Sequence, residues 1–167
     1  MAANVYEAPR LSIPSRDDTR TRATSARVLA PIGRVLFGLI FLTSGVGHFT
    51  QPVIAYGASM GVPMPNVLVP LSGIIAVIGA LSVMLGYKTH LGATLLVIFL
   101  APVAYYMHPF WKMDDAMMRL NQQAHFMKNI SMLGAALALI YFGAGPISLD
   151  ARKNVKKNVK TGRRATD

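Results

Sequence analysis

Three polar side chains stand at the beginning of the last apolar stretch of the sequence. His125, Lys128 and Asn129 are spaced i, i+3 and i+4, so a helix places them on one face. Ionisable groups beside a membrane-length apolar run are rare unless they pair, reach the interface or act. His48 closes the first apolar stretch, and we expect it at the same membrane face. His48, His125 and Lys128 are therefore interpreted as a pocket that could hydrogen-bond a quinone carbonyl or hold a small anion.

Simpler interpretations of these residues stay open. The long stem of Lys128 lets its ammonium group reach the lipid headgroups, and Asp114 or Asp115 could instead neutralise it. Histidines on facing helices could also ligate a haem iron, but the candidate histidines stand at the ends of the apolar stretches. The chain has no cysteine, which excludes Cys-ligated zinc and iron–sulfur clusters. No metal site is predicted.

The elements that must position these residues follow from composition. Of the 167 residues, 53% are hydrophobic and 14% are charged, where a soluble domain has about a quarter charged. Most Lys and Arg residues fall before Val35 or after Asp150, which indicates an integral membrane protein with basic tails. The net charge of +10 favours an anionic lipid surface as partner. No nucleic-acid partner is predicted, because the basic residues flank apolar spans without interleaved aromatics.

Four apolar segments of roughly 17–19 residues each are near the minimum that spans a bilayer. They cover residues 32–49, 67–85, 91–107 and 126–142. Glycine, alanine and serine recur inside them, and such small residues let membrane helices pack closely. The sequence therefore predicts an all-α integral membrane protein, a four-transmembrane-helix bundle. Its predicted parts are a basic polar tail at 1–30, the bundle at 31–147 and a second basic tail at 148–167.

The basic residues also predict the orientation. Arg34, Lys88 and both tails lie on one side of the four predicted spans. Only Lys112, Arg119 and Lys128 lie on the other side. By the positive-inside rule, both termini are expected in the cytoplasm, with the chain multi-pass in a bacterial inner membrane.

The two loops on the opposite side carry local signals. Residues 52–60 are predicted to form a short surface helix, with proline at its first position. Asp114 or Asp115 is predicted to cap a helix that continues into the fourth span. Aromatic residues near this interface are typical of a membrane belt. They are Tyr105, Tyr106, Phe110 and Trp111.

Several short motifs between about residues 33 and 150 resemble those of the DoxX family of small four-helix bacterial membrane proteins. They are GRVLFGLIF at 33–41, SG at 44–45, YGASMGVP at 56–63, LSG at 71–73, LGYK at 85–88, HPFWK at 108–112 and FMKN at 126–129. The resemblance implies a four-span bundle associated with quinone-linked or thiosulfate-linked redox systems, in which some members work with a second subunit.

Two functional hypotheses follow, and whether the chain is an enzyme stays open. The first is a non-catalytic accessory subunit of a membrane electron-transfer complex, contacting membrane lipid and other subunits through its bundle and basic tails. The second is a quinone-linked oxidoreductase, or its quinone-binding membrane subunit, with the polar site at the outer face. No cofactor is assigned and no catalytic residue is identified; quinone is the cofactor that the pocket would suit. A solute or lipid carrier has less support, since no inverted repeat is visible.

Overall fold

The computed structural model describes the backbone of residues 16–160 and the side chains of residues 27–157. Six α-helices and one 3₁₀ turn make up this part of the chain, which contains no β-strand. They are α1 (Arg16–Gly47), α2 (Gln51–Ser59), α3 (Pro65–Leu85), α4 (Thr89–Met107), the 3₁₀ turn Phe110–Lys112, α5 (Ala116–Phe142) and α6 (Leu149–Lys160). The outer parts of the two predicted tails, 1–15 and 161–167, lie outside the described residues.

Four of these helices are long and apolar enough to cross a membrane, which confirms the predicted fold class. The membrane-length segments are Arg27–Gly47, Pro65–Leu85, Thr89–Lys112 and Ala116–Phe142. Large apolar side chains point outward along them, including Leu36, Ile78 and Ile98, each at least half exposed. Lipid contact accounts for such a surface, because soluble monomers rarely expose apolar patches of this extent.

Helical structure extends into both predicted tails. α1 begins at Arg16, inside the segment predicted as a tail, and α6 occupies most of the described part of the second tail. A helix satisfies its own backbone hydrogen bonds, so a membrane helix can continue into water with a polar sequence. Polarity therefore marks where the lipid ends and not where the helix ends.

The helices form a row more than a closed ring. Among the described helices, the extensive contacts join α1 with α3, α3 with α4 and α4 with α5, while α2 rests on α3. α1 and α5, at the two ends of this row, are not a closely packed pair. The shared core includes Phe41 from α1, Val83 from α3, Leu96 and Leu100 from α4, and Ala136 from α5.

Glycine allows α1 and α3 to approach at the level of the histidine-bearing end. A Cβ atom added to Gly73 would lie 2.7 Å from the Gly45 carbonyl oxygen and 2.8 Å from the His48 Cβ. This is the close backbone contact predicted for small residues in membrane helices. Gly134 differs, because a Cβ added there meets nothing within 4 Å. The small residues of the fourth span therefore do not all serve packing.

We call the side of the molecule that carries α2 the α2 end. The predicted surface helix is confirmed there, beginning at Gln51 after Thr50 with proline in its first turn. The Asp115 carboxylate caps α5 by accepting a hydrogen bond from the Met118 N–H at 2.7 Å. Trp111 packs against Tyr105 and Phe126 with ring centroids 5.6 and 5.8 Å apart. These contacts hold the loop before α5 against the end of α4 and against α5.

At the opposite side, the α6 end, two charged residues tie distant parts of the chain together. Buried Arg34 of α1 donates hydrogen bonds to the carbonyl oxygens of Ala144 and Ile147. Asp150, near the start of α6, accepts from the backbone N–H groups of Lys88 and Thr89 at 2.8 and 2.9 Å. The first and last described helices are thus both fixed to the loop regions of this end.

Candidate functional site

A cavity of about 560 Å³ opens at the α2 end, and we call it the α2-end cavity. This volume is typical of pockets for small organic ligands. Its wall is mostly apolar and receives residues from all four membrane-length helices and from α2. Its polar lining residues are Ser44, His48, Tyr56, Ser72, Tyr106, His108, Lys128 and Asn129.

The cavity lies where the row of helices leaves a gap. Ile40 and Ser44 of α1 line one side, and Asn129 and Met132 of α5 line another. Because α1 and α5 are not a closely packed pair, α3 and α4 form the back of the cavity between them. The space is therefore a consequence of helix order and not of one missing side chain.

The three residues predicted to form a polar pocket are placed as follows. His48 and Lys128 both line the α2-end cavity, whereas His125 is not among its lining residues. Lys128 Nζ lies 3.4 Å from His125 Nδ1, so the two contact each other at the rim. Asp115, a predicted partner for Lys128, is engaged as the cap of α5. His48 and Lys128 therefore share one cavity, and His125 contacts the Lys128 ammonium group without lining the cavity.

His48 is oriented by a short hydrogen-bond chain. Its Nδ1 lies 2.9 Å from Ser72 Oγ, and the Ser72 hydroxyl donates to the Val69 carbonyl oxygen at 2.7 Å. Since the hydroxyl proton is used for Val69, Oγ accepts and Nδ1 carries the imidazole proton. The other ring nitrogen, Nε2, is then a hydrogen-bond acceptor on a residue that lines the cavity.

The charge state of His48 agrees with this tautomer. Burial of the ring lowers the pKa of His48, and a hydrogen bond with the Val69 backbone opposes this in part. A lowered pKa keeps the imidazole neutral at neutral pH. The cavity thus contains an acceptor where sequence reasoning placed only donors.

Asn129 supplies the complementary donor. Its side chain is 5% exposed and lines the cavity, and its Nδ2 has no hydrogen-bond partner among the described residues. A buried amide nitrogen left unpaired costs about 1–3 kcal/mol, so native proteins rarely leave one without a reason. The unpaired amide is the observation that most directly points to a ligand.

His108 and His125 form a stack at the rim of the cavity. Their ring centroids are 5.3 Å apart with planes inclined by 21°, and His108 Nδ1 lies 2.8 Å from Gln122 Oε1. Rings in direct contact leave no room for a haem between them. Among the described side chains, residues 27–157, no group of three or more His, Asp or Glu is arranged to hold a metal ion.

Sequence reasoning missed Ser72 and Tyr56 as site residues. Gly45 stands one helical turn before His48, at i and i+3. Gly73, the neighbour of Ser72, contacts Gly45 and so brings α3 against the end of α1. A small residue one turn before the histidine was therefore an available signal that another helix packs there. Tyr56 lies on α2, and no local pattern indicates that this helix folds over the cavity.

Comparison with known proteins places this architecture in a family. Residues 12–157 match the model of the SURF4 family. The chain is 33% identical over 127 residues to the Inner membrane protein YphA of Escherichia coli K12, covering 75% of this chain and 90% of that protein. It is 29% identical over 128 residues to the Inner membrane protein YqjF of the same organism, covering 75% and 92%. No solved structure matches.

These matches support the expected class, a small multi-pass membrane protein related to bacterial inner-membrane proteins. The matching model bears the SURF4 name, and none of the matches is named DoxX. The match includes all four membrane-length helices and every polar residue of the α2-end cavity. The chain belongs to the SURF4 family.

Proposed function

We propose that this chain is a membrane-embedded binding protein whose α2-end cavity holds a quinone or quinol. The observation that carries the proposal is the buried, unpaired Nδ2 of Asn129, a residue that lines the apolar cavity. A carbonyl oxygen would accept from this amide, and a ring hydroxyl could donate to His48 Nε2. A quinone–quinol pair presents these two groups on a flat apolar ring, which suits the mixture of aliphatic and aromatic side chains around them.

The gap between α1 and α5 supports access from lipid. Ile40 and Ile98, both lining the cavity, are also exposed on the membrane-facing surface. A hydrophobic ligand dissolved in the bilayer could therefore enter sideways without crossing water. This route favours a lipid-soluble ligand over the small anion considered from the sequence.

We further propose that the chain lies in a bacterial inner membrane with both termini in the cytoplasm. Four crossings put both ends on one side, and the α6 end carries Lys88 and the basic residues of α6. The positive-inside rule then assigns the α6 end to the cytoplasm and the cavity to the outer face. The relatives named as inner membrane proteins support the same compartment.

The test is to purify the protein in mild detergent, extract it with organic solvent and quantify quinones by chromatography. We expect near-stoichiometric quinone in the wild type and a loss of about tenfold in Asn129→Leu, since one hydrogen bond of about 1.4 kcal/mol corresponds to that factor. Asn121→Leu is the matched control, because Asn121 is exposed on the same helix and does not line the cavity. Wild-type protein without quinone, or equal loss in both variants, would overturn the proposal.

A second candidate, an accessory subunit of a membrane electron-transfer complex, has one specific observation in its favour. α5 has 27 residues, about 40 Å, against a hydrocarbon core of about 30 Å. Its first turns expose Met117, Met118 and Leu120 at 73, 57 and 63% beside polar Arg119 and Asn121. A protruding apolar patch of this kind is typical of a contact with another subunit.

Blue-native electrophoresis of solubilised membranes tests this candidate. A complex should be visible with the wild type and be lost when Met117 and Leu120 are both changed to Lys. Val155→Lys is the control, since it adds a charge at an exposed apolar site on α6. Migration of the wild type only as a free small protein would exclude the accessory role.

A further inference from the structure

A second cavity of about 560 Å³ lies at the α6 end, and none of its lining residues lines the α2-end cavity. It is bounded by the start of α4, the end of α5, the loop after α5 and the first turns of α6. Its lining includes two lysines and two large apolar side chains. We call it the α6-end cavity.

Two ammonium groups define the cationic side. Lys153 Nζ lies 3.9 Å from the centroid of the Tyr87 ring, and Lys88 Nζ lies 6.0 Å from the same centroid. Both lysines line the cavity and belong to different elements, so two cationic side chains border it from separate parts of the chain. A bound anion in contact with both ammonium groups would offset the repulsion between them.

Asp150 also lines the cavity, but it is already engaged. Its carboxylate accepts from the Lys88 N–H, the Thr89 N–H and the Thr89 hydroxyl, the last at 2.9 Å. These bonds turn the carboxylate toward the first turn of α4. With one carboxylate against two ammonium groups, the cavity keeps a net positive charge.

The apolar side consists of Leu91 and Phe142, which are 56 and 78% exposed. Leu91 lies in the first turn of α4, and Phe142 is the last residue of α5. Both are therefore where membrane-length helices reach the interface. His90 also lines the cavity. Its Nδ1 is 2.6 Å from the Ile140 carbonyl oxygen, so Nδ1 donates and leaves Nε2 beside Gly143.

We propose that the α6-end cavity binds an anionic phospholipid, with the phosphodiester between Lys88 and Lys153 and an acyl chain along Leu91 and Phe142. A phosphate group is matched by two ammonium donors, and the adjoining apolar surface at an interface is what an attached acyl chain requires. A free phosphate ion has no acyl chain that could contact this apolar surface. The α6-end cavity is thus a specific lipid site, independent of the quinone site at the other end.

The test uses the full chain in nanodiscs containing equal amounts of phosphatidylglycerol and phosphatidylcholine, with bound lipid measured by native mass spectrometry. We expect retained phosphatidylglycerol on the wild type. Each basic residue near the surface contributes about a fivefold preference for anionic over neutral lipid. The double variant Lys88→Gln with Lys153→Gln should therefore reduce phosphatidylglycerol retention about 25-fold. Lys112→Gln removes an equal charge at the α2 end and should leave retention unchanged.

The single variant Lys153→Gln keeps the test valid if the double variant does not fold, because Lys153 is exposed on α6. It should reduce phosphatidylglycerol retention about fivefold. Equal retention of the two lipids by the wild type would overturn the proposal, as would equal losses in Lys153→Gln and Lys112→Gln. Displacement of the lipid by millimolar glycerol phosphate would assign the site to a soluble phosphate and would also overturn it.

Discussion

At the scale of single residues, the α2-end cavity is organised by two side chains of opposite hydrogen-bonding character. Asn129 Nδ2 is a buried donor without a partner, and His48 is held by Ser72 so that its free nitrogen accepts. Lys128 contributes charge at the rim, beside His125. Binding in this view depends on Asn129 and His48, and less on the ammonium group.

Replacing Asn129 with Leu should separate stability from binding. The change removes an unpaired buried amide and substitutes an apolar group of similar volume, so the free energy of unfolding should stay the same or rise by about 1 kcal/mol. Ligand content should fall at the same time. Thermal unfolding of ligand-free protein in detergent checks this; a clear loss of stability would show that the amide is structural.

Acidification should release the ligand through His48. Burial lowers the pKa of this ring below its ordinary value of about 6.5, so Nε2 accepts at neutral pH and becomes protonated only as the pH falls through the lowered pKa. Because the unfolded chain binds this proton more readily, stability falls in the same direction.

Quinone retention measured between pH 7.5 and pH 5 tests this, with His48→Gln as the variant that cannot titrate. His108 also lines the cavity, so a pH dependence that persists in His48→Gln would assign the effect to His108 instead.

At the scale of elements, the position of the histidine depends on the contact between α1 and α3. Gly45 and Gly73 allow the two backbones to meet, and Gly73 also touches the His48 Cβ position. At the α6 end, Asp150 fixes α6 to the start of α4. Each contact joins elements that are distant in sequence.

Gly73→Ala should wedge α1 from α3. Its Cβ would meet the Gly45 carbonyl and the His48 Cβ, and such overpacking costs about 1–3 kcal/mol of unfolding free energy. Gly134→Ala is the matched control: it adds the same methyl group into open space and should be neutral or slightly stabilising. Thermal midpoints of the two variants decide the matter, and similar destabilisation in both would contradict the packing role.

Asp150→Ala should destabilise the α6 end by about 1–2 kcal/mol, the usual value of a helix N-terminal cap. Burial alone would raise the pKa of Asp150, but hydrogen bonds from Thr89 and Lys88 and the charge of Lys153 lower it overall. The stabilisation is therefore complete well above the ordinary pKa of 3.8 and is lost as the pH falls through the lowered pKa. The difference in unfolding free energy between the wild type and Asp150→Ala should shrink toward pH 3. Asp114→Ala changes an exposed carboxylate and should leave the unfolding free energy unchanged at either pH.

At the scale of the whole molecule, the order of helices leaves α1 and α5 apart, which creates the cavity and its opening to lipid. The two cavities lie at opposite ends of the helices, one at the α2 end and one at the α6 end. Under the proposed orientation, the quinone site faces the outer leaflet and the phospholipid site faces the cytoplasmic one, where anionic lipid attracts basic residues.

The absence of native cysteine makes the orientation directly testable. A membrane-impermeant maleimide applied to intact bacterial spheroplasts should label Ser59→Cys on α2. Asn154→Cys on α6 should be labelled only after permeabilisation. Both positions are exposed, so differences in labelling report the side of the membrane. The reverse pattern would contradict the proposed topology.

The sequence alone determined the membrane class, the four spans, the short helix α2 and a cap of α5 at Asp114 or Asp115, of which the structure selects Asp115. These depend on the length of apolar runs and on residues within one turn of each other, and so they are local. Both helical extensions into the tails were missed, because polarity reports contact with water and not backbone conformation.

Only the tertiary structure decided which polar groups share a cavity. Three features depend on how the helices are ordered. They are the hydrogen bond between His48 and Ser72, the unpaired amide nitrogen of Asn129, and the hydrogen bonds from Arg34 to carbonyl groups more than 100 residues away. Helices that are apolar on most sides carry little periodic information about their neighbours, since lipid and protein contacts favour similar side chains. The gap between α1 and α5, and with it the site, therefore emerged from packing.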